Sequence, residues 1–278
     1  MSVQRQEQPV REVAIEAMRD EQLTARQDLV VVEEPLEIRI AQAGETGPGT
    51  SMSITMRTPG QDIELAVGFL HGEGIVRSLA DIADSRICGP VGNVVRIQLT
   101  ESAAHDPARL QRNFYTTSSC GVCGNASLAA VERMLRSPSV DASLKVSAAL
   151  IESLSDRARA GQDVFRETGG LHASCLFDAV GNLIAVREDV GRHNALDKLV
   201  GSRLLAGELP LSNSVLFLSG RASFELLQKA AAAGIPVVAA VGAPSSLAID
   251  LAQRTGILLV GFLRGHSFNV YAHGERLQ

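Results

Sequence analysis

The sequence predicts an α/β protein in two parts: a smaller mixed α/β domain, then a larger domain built on a mostly parallel sheet. Three observations lead there. Short unbroken apolar runs at 215–218, 236–241 and 257–262 alternate with helical stretches, which is how βαβ units with strands buried on both faces read. The first hundred residues instead show strands with polar–apolar alternation around one helical stretch. A length of 278 residues also suits about two domains at roughly 150 residues each.

Taken in order, residues 1–27 are polar and charged and read as a mobile tail or a weak helix. Residues 28–40 suggest one or two strands interrupted at Pro35, and 44–49 is a glycine-rich loop. A strand is expected at 52–57, turned by Pro59-Gly60. A helix capped by Asp62 follows, carrying Ile63, Leu65, Ala66, Phe69 and Leu70. A further strand at 94–99 completes a first domain placed at 28–112. The second domain, 113–278, opens on a cysteine loop and a helix at 126–136. Then come a helix at 147–160, a hairpin of 171–177 and 183–187, and a helix at 193–205. The three apolar strands with their loops and helices follow, and a last strand is expected at 269–272.

Composition narrows the function. The net charge of −5 and the lack of a long basic run disfavour bulk nucleic-acid binding. No apolar segment reaches the roughly 18–20 residues that a membrane span requires, and the polar start lacks a signal-peptide core. A cytoplasmic protein is expected, with no membrane partner. Four cysteines are too few for a secreted disulfide scaffold. Cys88 and Cys175 are isolated, and Cys175, within an apolar run, is expected to be buried.

Cys120 and Cys123 form the one cysteine motif, in Thr117-Ser118-Ser119-Cys120-Gly121-Val122-Cys123-Gly124-Asn125. With Asn125 capping the helix that follows, both sulfurs precede a helix N-terminus, where orphan amides and the dipole favour a thiolate. Three chemistries share this spacing. Zinc would need two more ligands. The His71-Gly72-Glu73 triplet half-resembles a zinc-deaminase pattern, but Ser119 stands where that pattern has proline. Dithiol–disulfide exchange usually comes with flanking aromatic residues and proline, which are missing. The third is transfer of a sulfane sulfur on a low-pKa thiolate, with the second thiol assisting or resolving.

Ligands of open parallel sheets sit beyond the carboxyl ends of the strands. Those ends carry Ser219-Gly220-Arg221, Gly242 to Ser246 and Arg264-Gly265-His266. Glycine allows close approach, helix N-termini hold phosphate, and arginine adds a bidentate donor. The expectation is a nucleotide or another phosphorylated ligand, against the plainer reading of turn and cap residues. His193, in Gly191-Arg192-His193-Asn194, could be a capping residue. His172, after Gly169-Gly170, could be a hydrogen-bonded core histidine or a site residue.

Thr117 to Gly124, Gly169-Gly170-Leu171-His172-Ala173, the block from Arg187 to Lys198, Ser219-Gly220-Arg221 and Gly261 to Tyr271 together resemble the bacterial formate dehydrogenase accessory sulfurtransferase family. The block from Arg187 to Lys198 is its most specific part. The resemblance implies a cytidine-deaminase-like α/β/α domain without the catalytic zinc, hence no structural metal, and a homodimer. It implies a cytoplasmic carrier that takes persulfide sulfur from a cysteine desulfurase. The acceptor would be the molybdenum of the bis-molybdopterin guanine dinucleotide cofactor, before its insertion into formate dehydrogenase. Cys120 matches the persulfide-bearing cysteine and Cys123 the second thiol. Phe262, Leu263, Arg264, Gly265, His266 and Ser267 match the cofactor-binding segment, whose nucleotide end a guanine nucleotide should mimic. Many relatives carry a second basic residue near the end of that segment, where this chain has His266-Ser267. A cofactor-binding chaperone without sulfur transfer and a dithiol oxidoreductase are the alternatives.

Overall fold

The computed structural model describes residues 8–103 and 140–278. The stretch read as a tail holds a β-hairpin, Val10–Arg19 (β1) against Gln22–Val31 (β2), paired in register along all ten residues. Its turn, Asp20-Glu21, has positive φ at both residues, 49° and 63°, as the tightest hairpin turns require. Such turns normally announce themselves with Asn or Gly. Here charged residues stand at the turn and along both strands, so the segment reads as polar and carries no hairpin signal. The hairpin base is held by the Val32 amide donating to the Pro9 carbonyl at 2.8 Å.

Glu34–Ala41 (β3), Thr50–Arg57 (β4), Ile82–Cys88 (β5) and Val94–Leu99 (β6) form a four-stranded sheet in the order β4-β3-β6-β5. Pro35 lies inside β3 rather than breaking it. One side of the sheet is buried: Leu36, Ile38, Ile40, Met52, Val95 and Ile97 pack on Leu65, Ala66 and Leu70 of the helix Asp62–Gly72 (α1). Asp62 does not cap that helix. Gln61 occupies the cap position, and Asp62 accepts two hydrogen bonds from the buried Arg57 at 2.8 and 2.9 Å.

The larger unit runs through helices Ala148–Ala160 (α2) and Asp163–Thr168 (α3), strands His172–Asp178 (β7) and Leu183–Asp189 (β8), and helix Arg192–Leu205 (α4). It continues with Ser214–Leu218 (β9), Phe224–Ala232 (α5), Val237–Ala240 (β10), Ser246–Thr255 (α6), Leu258–Arg264 (β11) and Ser267–Ala272 (β12). The sheet order is β12-β11-β10-β9-β7-β8. The expectation of a mostly parallel sheet is corrected here. Only the central β9-β10-β11 pairings are parallel, while β12, β7 and β8 join antiparallel. Two short hairpins flank the βαβαβ centre, because no helical crossover separates β7 from β8 or β11 from β12.

Helices pack against both faces of this sheet. Successive residues of a strand face opposite sides, so Leu216 and Leu218 meet α4, α5 and α6, whereas Val215 and Phe217 meet Ile151 and Leu154 of α2. Cys175 belongs to the α2 side and is fully buried. Burial pushes its thiol up to about 12, as expected of an inert cysteine.

The two units meet where α1 crosses α4. A Cβ on Gly68 would fall 1.9 Å from the Asp197 carbonyl oxygen, and one on Gly201 equally close to that of Glu64. Only glycine permits backbones to touch in this way.

Candidate functional site

Because β7 runs antiparallel to β9, its start lies beside the end of β9: Ser174 pairs with Leu218, and the chain beyond Leu218 passes His172. Asp189, at the end of β8, pairs with His172 and leads into α4. The carboxyl edge of the parallel strands therefore also collects the start of β7 and the end of β8. This was not visible to a reading that treated the sheet as parallel. A hairpin followed directly by a glycine and a helix was the signal available for it.

Hydrogen bonds tie the edge loops into one ledge. Ser219 Oγ accepts from the Ala173 amide at 2.8 Å, and the Ser219 amide donates to the Ala173 carbonyl at 3.0 Å. The Gly242 amide donates to the Gly220 carbonyl at 2.9 Å, and the Phe262 amide to the Gly242 carbonyl at 3.2 Å. The glycines serve this stacking. A Cβ on Gly220 would lie 3.3 Å from His172 Nδ1, and one on Gly242 would lie 2.9 Å from Arg221 Cγ.

His172, Arg192, His193 and Arg221 converge on this ledge. His172 is half-buried and makes no side-chain hydrogen bond among the described residues, so it is not a satisfied core histidine. Burial lowers its proton affinity, Arg192 and Arg221 lower it further, and Asp189 opposes them. His193 Nε2 lies 3.2 Å from Ser223 Oγ and 3.5 Å from Glu225. Burial pushes its pKa down to about 4, against the pull of Glu225, with Arg192 among the charges that add to the burial. Both shifts favour the neutral imidazole. Arg221 is exposed and makes no ion pair or side-chain hydrogen bond among the described residues.

Three helices begin near the ledge, and their ends differ. In α6, Ser245 caps its own helix by accepting from the Ala248 amide at 3.3 Å. Neither α4, which follows Gly191, nor α5, which follows Ser223, has a side-chain cap. The dipoles of both helices favour negative charge at these ends.

Phe262 to Ser267 lie at the tip of the β11–β12 hairpin. Phe262 has a φ of 52° and marks an irregularity in the pairing. Leu263 is 1% exposed and sits in the α2-side core, so only its backbone can face a ligand. Arg264 is exposed. Ser267 Oγ donates to the Arg264 carbonyl at 3.1 Å. His266 is almost fully exposed, with Nδ1 3.3 Å from Glu152 of α2. Cys120 and Cys123 lie outside the described residues, as does the helix expected after them.

His71, half of the zinc-like triplet, is buried with Nδ1 3.0 Å from the Val76 carbonyl and Nε2 3.3 Å from that of Ala232. Both nitrogens face the backbone, which leaves neither for a metal. No group of three possible metal ligands occurs among the described residues, and no described helix is long and apolar enough to cross a membrane.

The block from Arg187 to Lys198 has another role. Asp189 accepts from the amides of Thr58 and Gly191 and from Asn194 Nδ2, and pairs with Lys198 Nζ at 2.8 Å. Lys198 also donates to the Thr58 carbonyl at 2.8 Å, and Asn194 to that of Met56. Arg187 holds Glu64 of α1 through two nitrogens, one at 2.8 Å. Lys229 of α5 reaches Asp197 at 2.8 Å. Burial disfavours the Lys229 charge, but Asp197, Glu225 and Glu73 together raise its proton affinity. Most of the block joins the two units, and only Arg192 and His193 face the ledge.

Comparisons with known proteins agree with this architecture. A protein from Streptomyces coelicolor named sulfur carrier protein FdhD is 52% identical over 268 residues, covering 94% of this chain and 93% of its own. One of the same name from Sulfolobus acidocaldarius is 41% identical over 96% of this chain and 98% of its own. The crystal structure of a candidate formate dehydrogenase accessory protein from Desulfotalea psychrophila superposes with a TM-score of 0.74 at 25% identity, covering 98% of this chain and all of that one. The model of the FdhD/NarQ family matches residues 31–278, and the chain belongs to that family.

Proposed function

We propose that this protein is a cytoplasmic sulfur carrier in the maturation of a molybdenum cofactor. The observation that carries the reading is likeness over nearly the whole chain to proteins named sulfur carriers, joined to a Cys120-x-x-Cys123 motif in this sequence. The thiolate of Cys120 attacks the terminal sulfur of a persulfide on a cysteine desulfurase. The donor's S–S bond breaks, the desulfurase thiolate leaves, and Cys120 becomes the persulfide. Cys123 assists release or protects the loaded sulfur. The acceptor is the molybdenum of bis-molybdopterin guanine dinucleotide, bound as cargo before delivery to formate dehydrogenase by a homodimer of this chain. The segment from Phe262 to Ser267 binds the cargo, with Arg264 as its permanently charged side chain. The open ledge of glycine loops supports a phosphorylated cargo.

The test is mass spectrometry of the protein after incubation with a cysteine desulfurase and cysteine. Wild type gains one or more sulfur atoms on Cys120, Cys120→Ala gains none, and Cys175→Ala, altered only inside the core, loads normally. Full loading of Cys120→Ala would falsify the assignment.

A further inference from the structure

We infer that the β1–β2 hairpin is an exchanged arm, whose acidic and apolar tip seats in the groove between the start of α2 and the β7–β8 turn of a second copy of this chain. The inference rests on the homodimer of the preceding reading and on nothing in its sulfur chemistry.

The arm stands off its own body. It packs at its base, where a Cβ on Gly170 would fall 2.9 Å from Val31 Cγ2 and Pro9 lines a cleft with Leu171 and Glu188. Residues 18–27 are all exposed. Ten residues per strand give a reach of about 34 Å. A lone two-stranded hairpin is marginal in water, yet this one keeps its register along its whole length. That points to a cover supplied from outside.

Its two faces differ. Directly paired residues share a face, so Glu12, Glu16 and Met18 lie on one side with Leu23 and Leu29. That side holds carboxylates and no cation, whereas Arg11, Arg19 and Arg26 lie on the other. At the tip Met18 pairs with Leu23, at 63% and 59% exposure, next to the turn carboxylates Asp20 and Glu21. Large apolar side chains with an acidic surround, at the end of a stalk, form a knob that suits a basic, apolar recess.

This chain has such a recess. A groove of about 430 Å³ is lined by Val146, Leu150 and Val180 together with Lys145 and Arg157. No acidic side chain lines it among the described residues. Arg157 donates to the Gly181 carbonyl and so fixes the wall toward the β7–β8 turn. The backbone oxygen of Gln278, also in the lining, accepts from the Ala148 amide at 3.1 Å. Knob and groove are opposite in charge and both partly apolar, the kind of complementarity that selects a partner and fixes register.

Placement agrees with exchange. The groove lies by the start of β8 and the arm's root beside its end. The arm's reach exceeds the roughly 24 Å of that edge strand. Each copy offers one knob and one groove, so a two-fold exchange uses both and closes at two subunits.

Sedimentation equilibrium of the full-length protein tests this. Wild type should be a dimer. Leu23→Ser should weaken it by about tenfold or more, as expected of an anchor, and Lys145→Glu should do the same through charge. Adding Glu16→Lys to Lys145→Glu should recover part of the loss. Arg26→Gln, on the arm's other face, should change little. All four side chains are exposed, so folding is not at stake, and matching unfolding curves check this. A monomeric wild type overturns the homodimer and this inference with it. A wild-type dimer that loses less than threefold with Leu23→Ser or with Lys145→Glu overturns the interface alone. So does a swapped pair no tighter than Lys145→Glu, or a loss at Arg26→Gln as large as at Leu23→Ser. Sulfur loading on Cys120 is scored separately, so failure of the carrier reading gives a different result.

Discussion

The segments 187–198 and 219–223 both lead from a strand of the large sheet into a helix, and both are rich in polar and charged residues. Their charges have opposite fates. Asp189 and Lys198 are fully buried and bonded to each other and to the 56–58 backbone of the smaller unit. Arg221 and Ser223, twenty to thirty residues on, face a ledge where Arg221 has no internal partner among the described residues and Ser223 leaves its helix uncapped. A motif that identifies a family is thus divided between joining two units and presenting a surface. Partnering, rather than residue type, separates the two uses.

The sharpest way to break this comparison is Asp189→Ala. It would strand the Lys198 ammonium in the interior and orphan the amides of Thr58 and Gly191 together with Asn194 Nδ2. Removing one member of a buried pair costs about 3–5 kcal/mol, so the midpoint of guanidinium unfolding should fall accordingly. Lys198→Met should cost less, because three donors still satisfy Asp189. Equal small losses in both would mean that the block does not join the units.

Next in size is Gly201→Ala. Its Cβ would meet the Glu64 carbonyl oxygen at 1.9 Å, and α1 cannot shift without disturbing the Arg187–Glu64 pair. Overpacking of this kind costs about 1–3 kcal/mol, and backbone as the obstacle points to the upper end. An unfolding curve like that of wild type would show that α1 is free to slide on α4.

His193 stands on the block but turns toward the ledge, and it gives a pH-dependent probe. Its folded pKa of about 4 lies below the ordinary 6.5, so between these values the unfolded chain holds a proton that the folded chain lacks. Its contribution is present above about pH 6.5 and is lost as the pH falls toward 4. The fall should amount to about 2–3 kcal/mol, with His71 and His172 acting in the same direction. His193→Gln keeps a polar group near Ser223 and should flatten this fall. An unchanged slope would place the effect on the other histidines.

Where single residues carry strong local signals, the sequence and the structure agree closely. The apolar runs became β9, β10 and β11, and the hairpin around Gly181 and the helix after Gly191 stand where expected. Hairpin β1–β2 was missed because its turn has no glycine or asparagine and β2 is exposed along its first six residues, which leaves only β1 with the alternation of a half-buried strand. Strand β5 was missed for a related reason: it is an edge strand with mostly exposed residues. At the site, the glycine loops were legible as loops. Their purpose was not, since Gly220 and Gly242 are small to let His172 and Arg221 pack, a long-range fact. The importance of His172 depended on knowing that β7 runs against β9.

The smallest expected effect completes the comparison. Arg221→Ala and Arg264→Ala remove side chains that are exposed, and surface substitutions away from caps, networks and cores stay within about 0.5 kcal/mol. Relief of the crowding of positive charge around His172 could even make Arg221→Ala slightly stabilising at low salt, an effect that added salt should erase because it screens exposed charges. A loss above about 1 kcal/mol at Arg221 would mean that the ledge, like the block, is held together by its charges. Stability left intact would mean that this arginine plays no part in holding the fold together.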